Sequence, residues 1–171
     1  MKPLPTVEEL RAALDYDPDT GTLAWRVRDD VPPKWNGRYA GRVVNCAHNE
    51  GYIVVTLHKR RHLAHRVAWA MRHGRWPEGQ IDHINGQRDD NRAANLREAT
   101  HAENGRNAKR PAHNTSGYKG VSWHKLHRTW RATIKVDQRA VHLGYFATRE
   151  EAHAAYIAAA QRHHGEFARA A

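Results

Sequence analysis

Cysteine is almost absent: the 171 residues hold only Cys46. An internal disulfide framework is thereby excluded, and so is any zinc site built from cysteine pairs. Stability has to come from apolar packing, for which six Trp, six Tyr and a good supply of Val, Ile and Leu provide the material. Long apolar runs are missing as well. No stretch approaches the ~18 residues that a membrane-spanning helix needs. The segment Met1 to Leu14 carries Glu8 and Glu9 where a secretory leader would have an apolar core. The chain is therefore expected to stay in the cytoplasm or nucleoid, with no membrane partner. Acid is in deficit: 18 Asp plus Glu face 28 Lys plus Arg, a formal net charge of +10. An isoelectric point of about 10.2 directs attention to nucleic acid. The length admits one medium domain or two small ones.

The first part of the chain reads as scaffold. Thr6-Val7-Glu8-Glu9 is a capping box, and Val7, Leu10 and Leu14 recur at helical spacing behind it. Asp17-Pro18-Asp19-Thr20-Gly21 is a turn, and Leu23, Trp25 and Val27 alternate with polar neighbours as a half-buried strand. Pro32, Pro33 and Gly37 mark Asp29 to Ala40 as a solvated loop. Three short strands are expected over Gly41 to Asn45, Gly51 to His58 and Arg61 to Ala64, with turns at Asn49-Glu50-Gly51 and Lys59-Arg60. A helix of about His65 to His73 follows, stopped by Gly74. His62 and His65 have metal-like spacing, but no carboxylate or Cys accompanies them, so packing outweighs ligation. Arg66 reads the same way, as core-edge packing rather than a phosphate contact.

The chemistry-bearing stretch runs from Ile81 to Asn104. Asp82-His83 sits between Ile81 and Ile84, Asn85-Gly86 is a turn that tolerates positive φ, and Asn95 to Ala99 is a second extended piece. Thr100-His101-Ala102-Glu103 is another capping box, so that a helix starts near His101 and carries Asn104. Phosphodiester hydrolysis needs a base for water and a divalent cation with oxygen ligands. An imidazole with a free pKa of ~6.5 suits the base. Asp and Asn oxygens suit Mg²⁺. On an extended segment the two side chains point to opposite faces and can serve water and metal separately. An EF-hand calcium loop is excluded, because its first position would fall on Ile81. A plain polar turn remains compatible with Asp82 to Gly86 taken alone.

Asp82-His83, Asn85-Gly86, Asn91, Asn95-Leu96-Arg97 and Asn104 resemble the HNH nucleases, and within them the phage and bacterial homing endonucleases. The resemblance implies a ββα-metal core of α+β class, with His83 as general base. Asp82 and Asn104 would be metal ligands, with His101, one helical turn away, as the rival to Asn104. Asn95 would tie down the hairpin and orient His83. Mg²⁺, or another divalent cation such as Mn²⁺, would be the cofactor. Asn85-Gly86 and Asn91 would shape the hairpin, and Arg88, Arg92 and Arg97 would lie near phosphates.

Beyond Gly105 the composition changes. Arg106, Lys109 and Arg110 sit in a basic stretch without apolar periodicity, a linker placed near phosphates or simply solvated. Tyr118 to Trp123, Thr129 to Val136 and Arg139 to Phe146 read as three strands. Trp130, Ala132, Ile134 and Val136 make one face apolar, and Arg131, Thr133 and Lys135 make the other basic. Thr148-Arg149-Glu150-Glu151 caps a helix whose buried stripe is Ala152, Ala155, Tyr156 and Ala159, and which Gly165 ends. Gly117 to Phe167 resembles the ethylene-response-factor (Apetala-two type) DNA-binding domain, a three-stranded antiparallel sheet on one helix. That resemblance places Lys119, Ser122, His124, Arg131, Thr133, Lys135 and His142 toward DNA, and Arg139 joins the basic set. Positions that are Arg or Trp in the plant domain are Ser122, Thr133 and His142 here, so sequence preference does not carry over.

The expected organisation is a nuclease domain over 1–107 (core motif 62–107), a basic linker over 108–116 and a DNA-binding domain over 117–167. The partner is double-stranded DNA, bound by a monomer. The alternative is a non-catalytic DNA-binding regulator with a degenerate nuclease core.

Overall fold

In the computed structural model, which describes residues 3–48, 50–107 and 114–168, the fold is mixed α+β and divides into two units, Met1–Thr100 and His101–Ala171. The expected linker residues Lys109 and Arg110 lie outside the described residues.

Helix α1 (Val7–Ala13) opens the first unit with both halves of the Thr6/Glu9 capping box in place. It turns directly into β1 (Leu14–Tyr16), which pairs antiparallel with β2 (Leu23–Trp25) around the Asp17 to Gly21 turn. The Asp17 carboxylate accepts from the amides of Asp19 and Thr20 and so shapes that turn. Strand β2 is shorter than the alternation suggests: Val27 lies beyond its end and is 72 % exposed. The expected loop contains a helix, α2 (Pro33–Tyr39). Pro33 stands at its start, where a missing N–H is harmless, and Trp35 packs edge-on to Trp25.

Strands β3 (Val54–Leu57) and β4 (Arg60–Leu63) form a hairpin. His58 and Lys59 turn it, both at positive φ, one residue earlier than expected. Only an isolated bridge between Val43 and Ala24 represents the anticipated strand over 41–45. Helix α3 (Ala64–His73) ends on Gly74 in the left-handed conformation. This helix organises the unit. Ala64, Val67, Ala70 and Met71 bury against Leu10, Leu14, Val55 and Leu57, while Ala68 packs on Ile81 and Leu96 of the next hairpin. That hairpin pairs β5 (Gln80–His83) with β6 (Leu96–Ala99).

The second unit contains α4 (His101–Asn107) and a sheet of β7 (Val121–His124), β8 (Thr129–Val136) and β9 (Arg139–Phe146) in the order β7-β8-β9, all antiparallel. Helix α5 (Arg149–His164) carries the complete Thr148/Glu151 capping box. Ala152, Tyr156, Ala159, Ala160 and His164 are its buried positions, the first four clustering with Val121, Ala132 and Ile134 of the sheet, whereas Ala155 is only half-buried. Gly120 lies close against both the helix and the sheet. At φ +73°, a Cβ there would lie 2.1 Å from the Tyr156 ring and 2.7 Å from the Thr133 carbonyl oxygen.

Candidate active site and nucleic-acid interface

The β5–β6 hairpin is pinned before it is armed. Arg66 on α3 donates to the carbonyls of Gly79 and Pro77, and the Glu98 carboxylate accepts from the Gly79 amide and from Arg75. Arg66 is thus committed to backbone, as its core-edge position suggested. Register sets Asp82 opposite Arg97 and His83 opposite Leu96, so the acid and the imidazole leave opposite faces of the strand. Both are buried, at 4 % exposure each. The Arg97 guanidinium donates through Nε (2.9 Å) and a terminal nitrogen (2.8 Å) to Asp82 Oδ2.

Asn95 does the stapling at the open end of the hairpin. Its backbone oxygen accepts from the Ile84 amide, its Oδ1 accepts from the Asn85 amide (3.0 Å), and its Nδ2 donates to the Asp90 carbonyl (2.8 Å). Gly86 turns at φ +67°, and its amide returns to the His83 carbonyl. Asp90 is held by Arg92 and Asn85, and its carboxyl is depressed to about 2, chiefly by the Arg92 guanidinium.

Asn91, read from sequence only as a shaper of the hairpin, is 2 % exposed and brings its Oδ1 to 3.4 Å from His83 Nε2. The N-terminal hairpin braces it: the Tyr16 hydroxyl donates to the Asn91 carbonyl (2.8 Å), and the Ala93 amide donates to the Pro18 carbonyl (2.8 Å). Gly21 makes the approach close. A Cβ there would lie 2.4 Å from the Arg92 nitrogen.

On another side, His65 meets the His83 ring edge-on at 5.0 Å, and Tyr52 lies 5.1 Å from His65 and 5.9 Å from His83. His65 follows from helical spacing, since it and Ala68 share the face of α3 that meets this hairpin. Its Nδ1 is buried without a hydrogen-bond partner, and burial, then repulsion from His83 and Arg66, pushes its pKa down to about 3. It is a neutral wall. Burial likewise lowers the pKa of His83, against the upward pull of Asn91, Asp82 and Asp90. An imidazole so depressed stays unprotonated at neutral pH.

The arginines expected near phosphates have structural partners as well. Arg97 holds Asp82, Arg92 holds Asp90, and Arg88 lies over the Tyr52 ring and donates to the Glu50 carbonyl. Asn104 and His101 lie on α4, in the second unit. Asp and Asn side chains offer the hard oxygen donors that a hydrated Mg²⁺ accepts. Among the described residues no group of three or more His, Cys, Asp or Glu could hold a metal ion.

On the second unit's sheet, cross-strand register aligns Ser122, Arg131 and Tyr145 in one row and Thr133 with His142 in the next. These share the face away from α5, whose contacts Ala132 and Ile134 alternate with them. Arg131 donates to Ser122 Oγ at 3.4 Å. Lys135 is exposed on the same face, and His124 closes β7. Arg139 pairs with Val136, a core-side residue, so alternation takes it off this face. Lys119 donates to the Arg106 carbonyl (2.6 Å). Both line a cavity of about 560 Å³, together with Lys135 and the buried His164.

Two family patterns match. That of the HNH endonucleases covers residues 62–106, and that of the AP2 domain covers residues 116–166. Protein 3.8 of Escherichia phage T7 is 38 % identical over 113 residues, which is 64 % of this chain and 88 % of that protein. No solved structure matches.

Proposed function

Because the chain belongs to the HNH endonuclease family and carries an AP2 DNA-binding domain behind the nuclease motif, we propose that it is a site-directed DNA endonuclease of the homing type. Its nuclease domain spans 1–107, its linker 108–116 and its DNA-reading domain 117–167. The carrying observation is His83, buried beside Asp82 on a stapled hairpin, with Asn91 within reach of Nε2. His83 takes the proton of the attacking water. Asn95 keeps the hairpin closed so that the imidazole keeps its position. Asp82 and Asn104 are the ligands proposed for one divalent cation, Mg²⁺ or Mn²⁺, with His101 as the rival to Asn104. When bound, that cation supplies charge neutralisation at the leaving 3′-oxygen. The products carry 5′-phosphate and 3′-hydroxyl ends.

The sheet face of Ser122, His124, Arg131, Thr133, Lys135 and His142 binds duplex DNA, with Lys119, Arg106, Lys109 and Arg110 as further phosphate contacts. A monomer acts on the DNA in the host cytoplasm or nucleoid. No helix among the described residues is long and apolar enough to cross a membrane. The test is nicking of supercoiled DNA in Mg²⁺ by wild type and His83→Ala. Loss of a general base is expected to slow cleavage about 10²- to 10⁴-fold while DNA binding persists. Equal rates would remove His83 from the mechanism. Binding without cleavage by the wild type would turn the reading toward a DNA-binding regulator.

A further inference from the structure

The open sheet face is unusual in its charge. Beside Arg131 and Lys135 it gathers imidazoles. His124 and His127 stack at 4.7 Å with planes 17° apart, and both rings lie against Tyr145, at 5.0 and 4.9 Å. His142 reaches the same tyrosine from its own strand at 4.6 Å. Tyr145 is 45 % exposed, so the cluster borders solvent. The groups that act on His124 are His127, Arg131 and His142, with no carboxylate among them. Desolvation, then repulsion from these neighbours, depresses His124, and the His127 amide donates to its Nδ1 (3.3 Å), the pattern of a neutral ring.

We propose that His124, His127 and His142, gathered about Tyr145, form a phosphate-binding surface for DNA that takes up protons as the DNA binds. Phosphate oxygens only accept hydrogen bonds. A neutral imidazole offers one donor and one lone pair, whereas an imidazolium offers two donors and a charge. Without DNA, packing charged rings together beside Arg131 is unfavourable. A polyanion laid across the face reverses the sign of the local potential and draws protons onto the rings. Duplex affinity therefore rises as pH falls through the histidine range. The inference rests on the reading that this unit binds duplex DNA.

The experiment measures binding of the full chain to a short DNA duplex in EDTA, to prevent cleavage, at fixed ionic strength. Uptake of one proton makes binding at about pH 6 roughly tenfold tighter or more than at about pH 8. Each phosphate newly neutralised steepens the salt dependence of log K by about 0.9. The triple variant His124→Asn, His127→Asn, His142→Asn keeps polar side chains that cannot be protonated, and it is expected to bind with an affinity nearly independent of pH. Circular dichroism checks its fold, and the three single variants, each expected to remove part of the slope, serve if it unfolds. A wild-type affinity that changes less than about twofold over this range, or a folded variant with an undiminished slope, overturns the proposal and leaves DNA binding intact. Failure to bind duplex DNA at either pH overturns both.

Discussion

The two units treat their charges in opposite ways. In the first, Asp82 is paired with Arg97, Asp90 with Arg92 and Glu98 with Arg75, while Arg66 is tied to backbone carbonyls. His65, His83, Asn91 and Asn95 are all buried. In the second, the residues turned away from α5 are half-buried or exposed and mainly cationic or titratable. The difference follows from the work proposed for each. A proton acceptor must be held in place before the substrate arrives, since reorganisation during the reaction raises the barrier. A surface that tracks phosphates gains from mobile, solvated cations. Paired and buried polar groups mark the first unit, and half-buried or exposed cations mark the sheet face of the second.

Two glycines test that separation most severely. Gly21 lies against the backbone of Asn91 and Arg92, and Gly120 lies against Tyr156 and the Thr133 carbonyl; both have positive φ. An added methyl meets backbone at each site, so each Ala substitution is expected to destabilise its own unit by about 3 kcal/mol or more. Gly21→Ala displaces the Asn91 brace and lowers the cleavage rate, with duplex affinity retained. Gly120→Ala loosens the sheet from its helix and weakens DNA binding. Calorimetry with parallel binding and cleavage assays checks both. A single shared transition that both substitutions lower equally would show that the two units unfold together.

Sequence patterns revealed much of this. Both terminal capping boxes, the α3 face ending at Gly74, and the bounds of β8 and β9 all rest on local spacing, and the structure has them. Helix α2 escaped because Pro32, Pro33 and Gly37 read as breakers and no apolar stripe runs through it. The β3–β4 turn escaped because His58 and Lys59 adopt positive φ without a Gly or Asn to signal it. In the site, Asp82 and His83 were legible as neighbours on one strand. The Tyr16 brace on Asn91 was not, since it joins residues 75 apart in sequence. Nor was the neutral state of His65, which depends on what surrounds it rather than on its neighbours in the chain.

Acid distinguishes the units less drastically. The folded pKa of His65 is about 3, against ~6.5 when unfolded. Below ~6.5 the unfolded chain binds more protons at this position, so stability falls as pH falls, and the loss continues until the folded pKa is reached. By about pH 5 the loss is on the order of 2 kcal/mol. Asp90, depressed to about 2, adds its own loss only below the ordinary carboxylate range. Urea melts at about pH 7 and pH 5 should show the first unit weakening in wild type and a shallower dependence in His65→Phe. Identical slopes would mean that the buried ring finds a way to protonate.

The smallest expected effect separates cations of the two kinds. Lys135 is exposed on the sheet face, whereas Arg97 is nearly buried against Asp82. A solvated lysine that meets a phosphate releases about 0.9 counterion on binding. Lys135→Ala should therefore lower the salt slope of log K by about that much, weakening affinity only a few-fold at moderate salt and leaving the cleavage rate on saturating DNA unchanged. Arg97→Ala should leave the salt slope alone and instead impair cleavage, because it removes the guanidinium that fixes the Asp82 carboxylate. A reduced salt slope in Arg97→Ala would mean that this arginine exchanges its carboxylate for a phosphate when DNA arrives, and the contrast between a pre-set site and an adaptable surface would fail at that residue.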